Sequence, residues 1–425
     1  MHPSPDQSTG CCDEYALSRR QFLRTISAAA GAAATTSVFG SAVLQTSFGG
    51  PAAASSGGRV LVVLSLRGGA DMLSVVVPHG DPGYYAARPT IAVPKGALLH
   101  PDAMFGLHPA MAPLADMWKA GRLAAVTAVG LPVPNRSHFD AMEQIEDADP
   151  GDGMRTGWIN RMIGLNAATS VTEAIQMGSG MVPTALYGPQ PALAVADVDQ
   201  IALSGPTGRN RARALRQVWA DTRGDLGDGA REALATARAF RGVAGHGYRP
   251  APGASYPADD LGDALKEAAR LIKADLGARA ITLDYGSWDM HARLGTVDAG
   301  DADSMHMMVD GLAHGLKAFF ADLGPAAGRV TLVTLTEFGR RVAENGSRGL
   351  DHGWGNTMLL AGAGVRGGRV HGRWPGLDAA HLNEGDLAVT TDYRSVLAEV
   401  LSTRFGTSTA KVFPGFTPER VGVMT

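Results

Sequence analysis

The chain has 425 residues, 45% of them hydrophobic, and a formal net charge of -3 at pH 7. That length is ample for a large buried core, in one large domain or two. With no basic excess and only 6% aromatic residues, the chain lacks both the charge and the stacking surfaces of a nucleic-acid binder, so no nucleic-acid partner is expected.

Residues 1–54 read as a leader rather than as part of the fold. Ser18-Arg19-Arg20-Gln21-Phe22-Leu23 is a full twin-arginine motif, a mildly hydrophobic Ala-rich run follows over residues 26–43, and Ala52-Ala53-Ala54 offers a small-residue cleavage site before Ser55. The run is too rich in small residues for a stable membrane span. The expected partner is the twin-arginine export machinery, and the expected destination is the periplasm or the cell exterior. Both cysteines, Cys11 and Cys12, precede the arginine pair. The mature chain, residues 55–425, therefore has neither a disulfide nor a thiolate metal site.

Residues 60–66, VLVVLSL, form a nearly continuous apolar run and predict a buried strand. Arg67-Gly68-Gly69-Ala70-Asp71 follows, and its glycines permit a tight turn that places Asp71 just past the strand. Asp71 reads as a metal ligand or as an ordinary turn or helix-capping aspartate. A short strand is expected over 90–93, a helix over 109–121 with Met111, Leu114, Met117 and Trp118 on one face, and a strand over 123–129.

After that strand come Asn135-Arg136-Ser137-His138-Phe139-Asp140 and a helical run over 141–147. A serine beside an arginine at a strand-to-helix turn suits a nucleophile or an anion site, because a helix N-terminus offers free N–H groups. Ser137 as an N-cap with Asp140 in the first turn is the alternative. A helix over 154–165 and short strands over 172–177 and 185–187 follow. Residues 205–276 turn charged and Ala-rich, with helices expected at 209–222, 231–240 and 257–276, and read as a helical insertion in the sheet domain.

The sheet pattern resumes at 280–283, and AITLDYGSWDMH delivers Asp284, Asp289 and His291 at a strand end. Residues 303–323 predict a long helix with Met307, Met308, Leu312, Leu316 and Phe319 facing the core. The β-branched strand beginning at Val330 ends at Glu337, with Arg340, Arg341, Asp351 and His352 beyond it. Glu337 reads as a ligand or as the ion-pair partner of Arg340 or Arg341. A strand over 357–361 and an amphipathic helix over 391–405 close the chain.

In a parallel sheet these strand ends share one edge, where α/β proteins bind ligands. Carboxylates with histidines suit a divalent metal, zinc, manganese, calcium or magnesium. A serine near two such ions is suited to attack phosphorus or sulfur, with Arg136 holding an anionic ester substrate. An exported binding or scaffold protein with a non-catalytic cluster is the second reading. A Ser-His-Asp hydrolase lacks its G-x-S-x-G elbow around Ser137.

Together the twin-arginine leader, RGGAD, HPAM, NRSHFDAME, GSWDMH, TEFGRR and DHGWGN resemble the exported family called domain of unknown function 1501. That family is similar to the alkaline phosphatase and sulfatase superfamily. The resemblance implies an α/β/α sandwich with a mostly parallel, alkaline-phosphatase-like central sheet and a two-metal site. It implies the nucleophile at Ser137 and metal ligands at Asp71, Asp289, His291 and Glu337, with Asp351 and His352 near the final histidine position; Arg136 beside Ser137 is the expected catalytic anion holder. Where the superfamily has histidine after the late acid, this chain has Phe338, and it lacks the C/S-x-P-x-R pattern of formylglycine sulfatases.

Overall fold

The run Val60–Leu66 becomes the central strand β3, buried along its whole length. A strand buried on both faces must be apolar at successive positions, and its alternate side chains feed two different cores. Val60, Val62, Leu64 and Leu66 enter one apolar cluster, while Leu61 and Val63 enter the other. The computed structural model describes residues 35–39, 42–46, 58–148, 155–165, 170–201, 208–245, 247–297 and 304–425. Arg19, Arg20, both cysteines and the expected cleavage site lie outside the described residues.

The strands of the main sheet are β1 (Thr35–Phe39), β2 (Ala42–Thr46), β3, β4 (Leu123–Gly130), β5 (Ala174–Met177), β6 (Ala192–Val195), β7 (Ala280–Tyr285), β8 (Val330–Leu335), β9 (Asn356–Gly362), β10 (Val370–His371) and β11 (Thr391–Asp392). Their order is β1-β2-β6-β5-β7-β3-β8-β9-β4-β10, with β11 also paired to β4. β6, β5, β7, β3 and β8 run parallel. β9 is antiparallel to both β8 and β4, so β4 points the same way as β8. The carboxyl ends of β3, β4, β7 and β8 and the amino end of β9 therefore share one edge. The hairpin β1–β2 lies antiparallel to β6 and falls within the stretch that reads as a leader.

Helices cover both faces, which makes the chain an α/β/α sandwich. On one face lie α5 (Asp260–Ala274) and α6 (Met305–Leu323), which bury Leu261, Leu265, Ile272, Leu312, Leu316 and Phe319 against β3 and β8. On the other lie α1 (His138–Asp147), α2 (Trp158–Ile163) and α7 (Tyr393–Val400), with Ile145, Trp158, Met162 and Val396. Each such side chain contributes roughly 1.5–3 kcal/mol on burial. The helices α3 (Gly208–Ala220) and α4 (Asp225–Ala239) fill the expected insertion; α5, also inside its expected bounds, packs directly on the sheet core.

Three expectations are corrected. Residues 90–93 are no strand, because the Glu344 carboxylate takes the amides of Thr90 and Ile91 that a ladder would need. Residues 184–186 form a short 3-10 turn, and the strand comes later at β6. Met307 is 40% exposed, whereas Met305 and Met308 are buried: Met307 lies off the α6 stripe that was expected to include it.

Candidate metal centre

Local geometry at the end of β3 sets the site. Gly68 and Gly69 adopt φ of 110° and 64°, a region that side chains other than glycine rarely enter. A Cβ on Gly68 would meet the amide of Asp289 at 2.7 Å, and one on Gly69 would meet the Phe338 ring. This close approach lets both glycine amides reach Glu337: Gly68 N–H donates to Oε1 at 2.7 Å and Gly69 N–H to Oε2 at 3.0 Å. Glu337 is 5% exposed. Burial pushes its carboxyl up, but His138 and those amides outweigh it and hold it at about 2.

Three histidines meet one aspartate. His352 Nε2 lies 3.0 Å from His138 Nε2 and 3.1 Å from His291 Nε2. Asp289 Oδ1 lies 3.0 Å from His291 Nε2 and 3.2 Å from His352 Nε2, and its Oδ2 lies 3.5 Å from His138 Nε2. Ligand atoms of His138, Asp289 and His352 all fall within 4.8 Å of one another.

The opposite ring nitrogens are all held by oxygen. His138 Nδ1 faces Glu337 Oε1 at 3.3 Å, His291 Nδ1 faces Asp351 Oδ1 at 3.2 Å, and His352 Nδ1 faces the Arg136 carbonyl at 2.9 Å. A carbonyl or carboxylate oxygen only accepts, so each neutral ring places its proton on Nδ1 and its lone pair on Nε2. Neighbouring lone pairs of His138 and His352, and of His352 and His291, then face each other, an arrangement that a proton or a metal ion between them relieves. This carboxylate–histidine arrangement is the usual support of a metal-binding imidazole. A tetrahedral ion with ligand distances of about 2.0–2.1 Å needs ligand–ligand edges of about 3.3 Å, close to the spacings among His138, His352 and Asp289. The donor set of two imidazoles and one carboxylate fits, and His291 stands beside it, against Asp289 and His352.

The charge balance agrees. Burial pushes Asp289 up, but bonds from His138, His291, His352 and Arg340 hold it far below the carboxylate range. Burial lowers His138, yet Asp289 and Glu337 raise it to about 9. His291 is raised chiefly by its bond to Asp289. The pocket calls for positive charge, from a proton or from an ion.

The structure re-sorts the residues singled out in the sequence. Asp289, His291 and His352 sit together. Glu337 and Asp351 stand behind histidines, each facing an Nδ1. Neither Arg340 nor Arg341 bonds Glu337; Arg340 donates to Asp289 instead. Asp71 is placed elsewhere: Arg88 takes both its oxygens, at 2.6 and 2.9 Å, and the Ser74 hydroxyl donates at 2.6 Å. Arg136 docks on the buried Asp386 at 2.5 Å. Ser137 is the N-cap of α1, exposed, with a side chain that caps no amide. Phe338, in the place where a second ligand was missing, is buried with its ring 4.7 Å from that of His352 and 4.9 Å from that of His138. His138 is the site residue that the strand-end pattern does not single out, although NRSHFDAME puts it one residue inside the helix.

A mostly parallel α/β/α protein with a histidine–carboxylate cluster at the carboxyl edge of its sheet is the class these features define. The chain belongs to the family described as "Protein of unknown function (DUF1501)", whose model matches residues 59–398. No curated protein matches the sequence. Among solved structures it is similar to the zinc complex of the C-terminal periplasmic domain of EcEptC from Escherichia coli. The identity is 11%, with 87% of this chain and 92% of that chain covered and a TM-score of 0.38. It is also similar to the lipoteichoic acid synthase LtaP from Listeria monocytogenes (10% identity, 78% and 74% covered, TM-score 0.29). A third is the PsFucS1 sulfatase from Pseudoalteromonas sp. (12%, 74% and 64%, TM-score 0.30).

Proposed function

We propose that the chain is a divalent-metal-dependent hydrolase of phosphate or sulfate esters, exported by the twin-arginine route to the periplasm or the cell exterior. The observation that carries the metal is the convergence of His138, His291 and His352 on Asp289 with every Nδ1 held by an oxygen. Among zinc, manganese, calcium and magnesium, such a nitrogen-rich set favours zinc, since calcium and magnesium prefer oxygen ligands. His138, His352 and Asp289 would hold the ion, with His291 beside them. When bound, a divalent ion supplies Lewis acidity at the reacting ester.

The rest falls to the chain's own groups. Ser137 presents its hydroxyl at the N-terminus of α1, one residue from His138. Attack by its oxygen on phosphorus or sulfur breaks the ester bond and releases the alcohol, and water then returns the serine. The first-turn amides of α1 suit the oxygens of the transferred anion. Arg136, fixed on Asp386, brings positive charge to the same turn, while its carbonyl orients His352. Among the described residues no helix is long and apolar enough to cross a membrane.

The test is purified mature protein assayed on aryl phosphate and aryl sulfate. Activity should disappear with a chelator and return with zinc. Ser137→Ala should lower kcat by at least a hundredfold with metal content unchanged. Full activity of Ser137→Ala would remove the serine from the mechanism. The second reading, a binding protein without turnover, is favoured by the Asp71–Arg88 pair, which withdraws one expected carboxylate from the site. It predicts bound metal and no turnover of either ester.

A further inference from the structure

We infer that Arg340 is the positioning residue that assembles the ligand cluster before any ion arrives, an inference that rests on the metal reading above. Its guanidinium is 2% exposed and every bond it makes goes to a segment that carries the cluster. Nε donates to the Gly69 carbonyl at 2.6 Å, and Nη2 donates to the Gly68 carbonyl. These close the turn whose amides hold Glu337, and through it His138. Nη1 donates to the Leu350 carbonyl at 2.9 Å, directly before Asp351 and His352. Nη2 also reaches the Trp288 carbonyl at 3.4 Å and Asp289 Oδ1 at 2.5 Å. The backbone of Arg340 bridges that of His352 as well.

Three segments far apart in sequence thus meet on one planar fork of donors. Four of its five acceptors are main-chain carbonyls, so the arrangement is more than a paired charge. Lysine cannot reproduce it, because its ammonium is a point donor with three N–H groups and arginine offers five in fixed directions. The bond to Asp289 has an electrostatic side too. It occupies Oδ1 with a permanent positive charge and leaves Oδ2 turned to His138. Arg340 therefore holds the one ligand carboxylate in a single orientation. A site held in this way loses little freedom when the ion enters, which is how supporting groups raise affinity.

The experiment is zinc affinity, measured by competition with a chromophoric chelator on metal-free mature protein, for wild type, Arg340→Lys and Arg340→Met. Wild type should bind one zinc. Both variants, folded by circular dichroism, should still bind one zinc with affinity at least tenfold weaker, and lysine should restore little of the loss. A folded variant within threefold of wild type overturns the inference. If a variant folds only with zinc present, the inference stands, since the ion then does the assembling. If both stay unfolded at saturating zinc, Arg340 is a folding residue and the inference fails. If wild type binds no zinc, manganese, calcium or magnesium, the metal reading itself falls and takes this inference with it.

Discussion

Arg88 grips both oxygens of Asp71, at 2.6 and 2.9 Å, in a pair where neither partner is more than 2% exposed. Such a buried pair fixes structure: removing one partner strands the other charge in a dry interior and costs about 3–5 kcal/mol. Asp71→Asn should therefore lower unfolding free energy by that order while the protein keeps its full metal content. Urea unfolding and elemental analysis on one preparation check this. Loss of the ion with little loss of stability would return Asp71 to the ligand set.

Glu337 should act through His138 rather than on the ion. Its carboxylate orders the ring and keeps the Nε2 lone pair turned inward, and loss of such support typically weakens metal binding 10–100-fold. Glu337→Gln should show that weakening with metal stoichiometry intact. His138→Ala should do worse, since it removes a donor atom. Zinc titration of both variants checks the order; equal affinities of Glu337→Gln and wild type would make Glu337 only a brace for the Gly68–Gly69 turn.

The difference between those two roles was not legible in the sequence, and the reason is physical. Strands β3, β4, β7 and β8 announce themselves because strands buried in a parallel sheet must be apolar at nearly every position. β6 did not, because four residues, ALAV, carry too little pattern to compete with the turns around them. At the site, residue types at strand ends were readable: Asp289, His291 and His352 all arrived where the carboxyl edge requires. The part played by Glu337 depends on amides 268 and 269 positions away in the chain. Asp71 was equally unreadable, because its partner Arg88 looked like any loop arginine. His138 is masked by Ser137, because a serine before a helix already has two explanations, nucleophile and N-cap.

Export should depend on the arginine pair. Arg19→Lys with Arg20→Lys keeps the charge of the leader but not its guanidinium groups, so the protein should remain in the cytoplasm with residues 1–54 attached. The wild-type exported protein should begin at Ser55, which intact-mass measurement reads directly. Export of the double-lysine protein at the wild-type level would place it on another route.

Away from the metal centre, His108 should make stability depend on pH. Its ring is fully buried; Nδ1 accepts from the Ala110 amide at 3.1 Å and Nε2 donates to the Thr296 carbonyl at 3.1 Å. Burial pushes its pKa down to about 4, with the bond to Thr296 opposing and His306 adding to the fall. Between roughly pH 6.5, the ordinary value, and pH 4 the unfolded chain binds a proton that the folded chain refuses. The stability linked to His108 is therefore whole above pH 6.5 and lost as pH falls toward 4, by about 2–3 kcal/mol. His108→Asn should lower stability at pH 7, through the lost bond to Thr296, yet lose less than wild type on acidification. Urea unfolding of both proteins at pH 7 and pH 4.5 measures the difference, and parallel losses would show that His108 takes up its proton in the folded state.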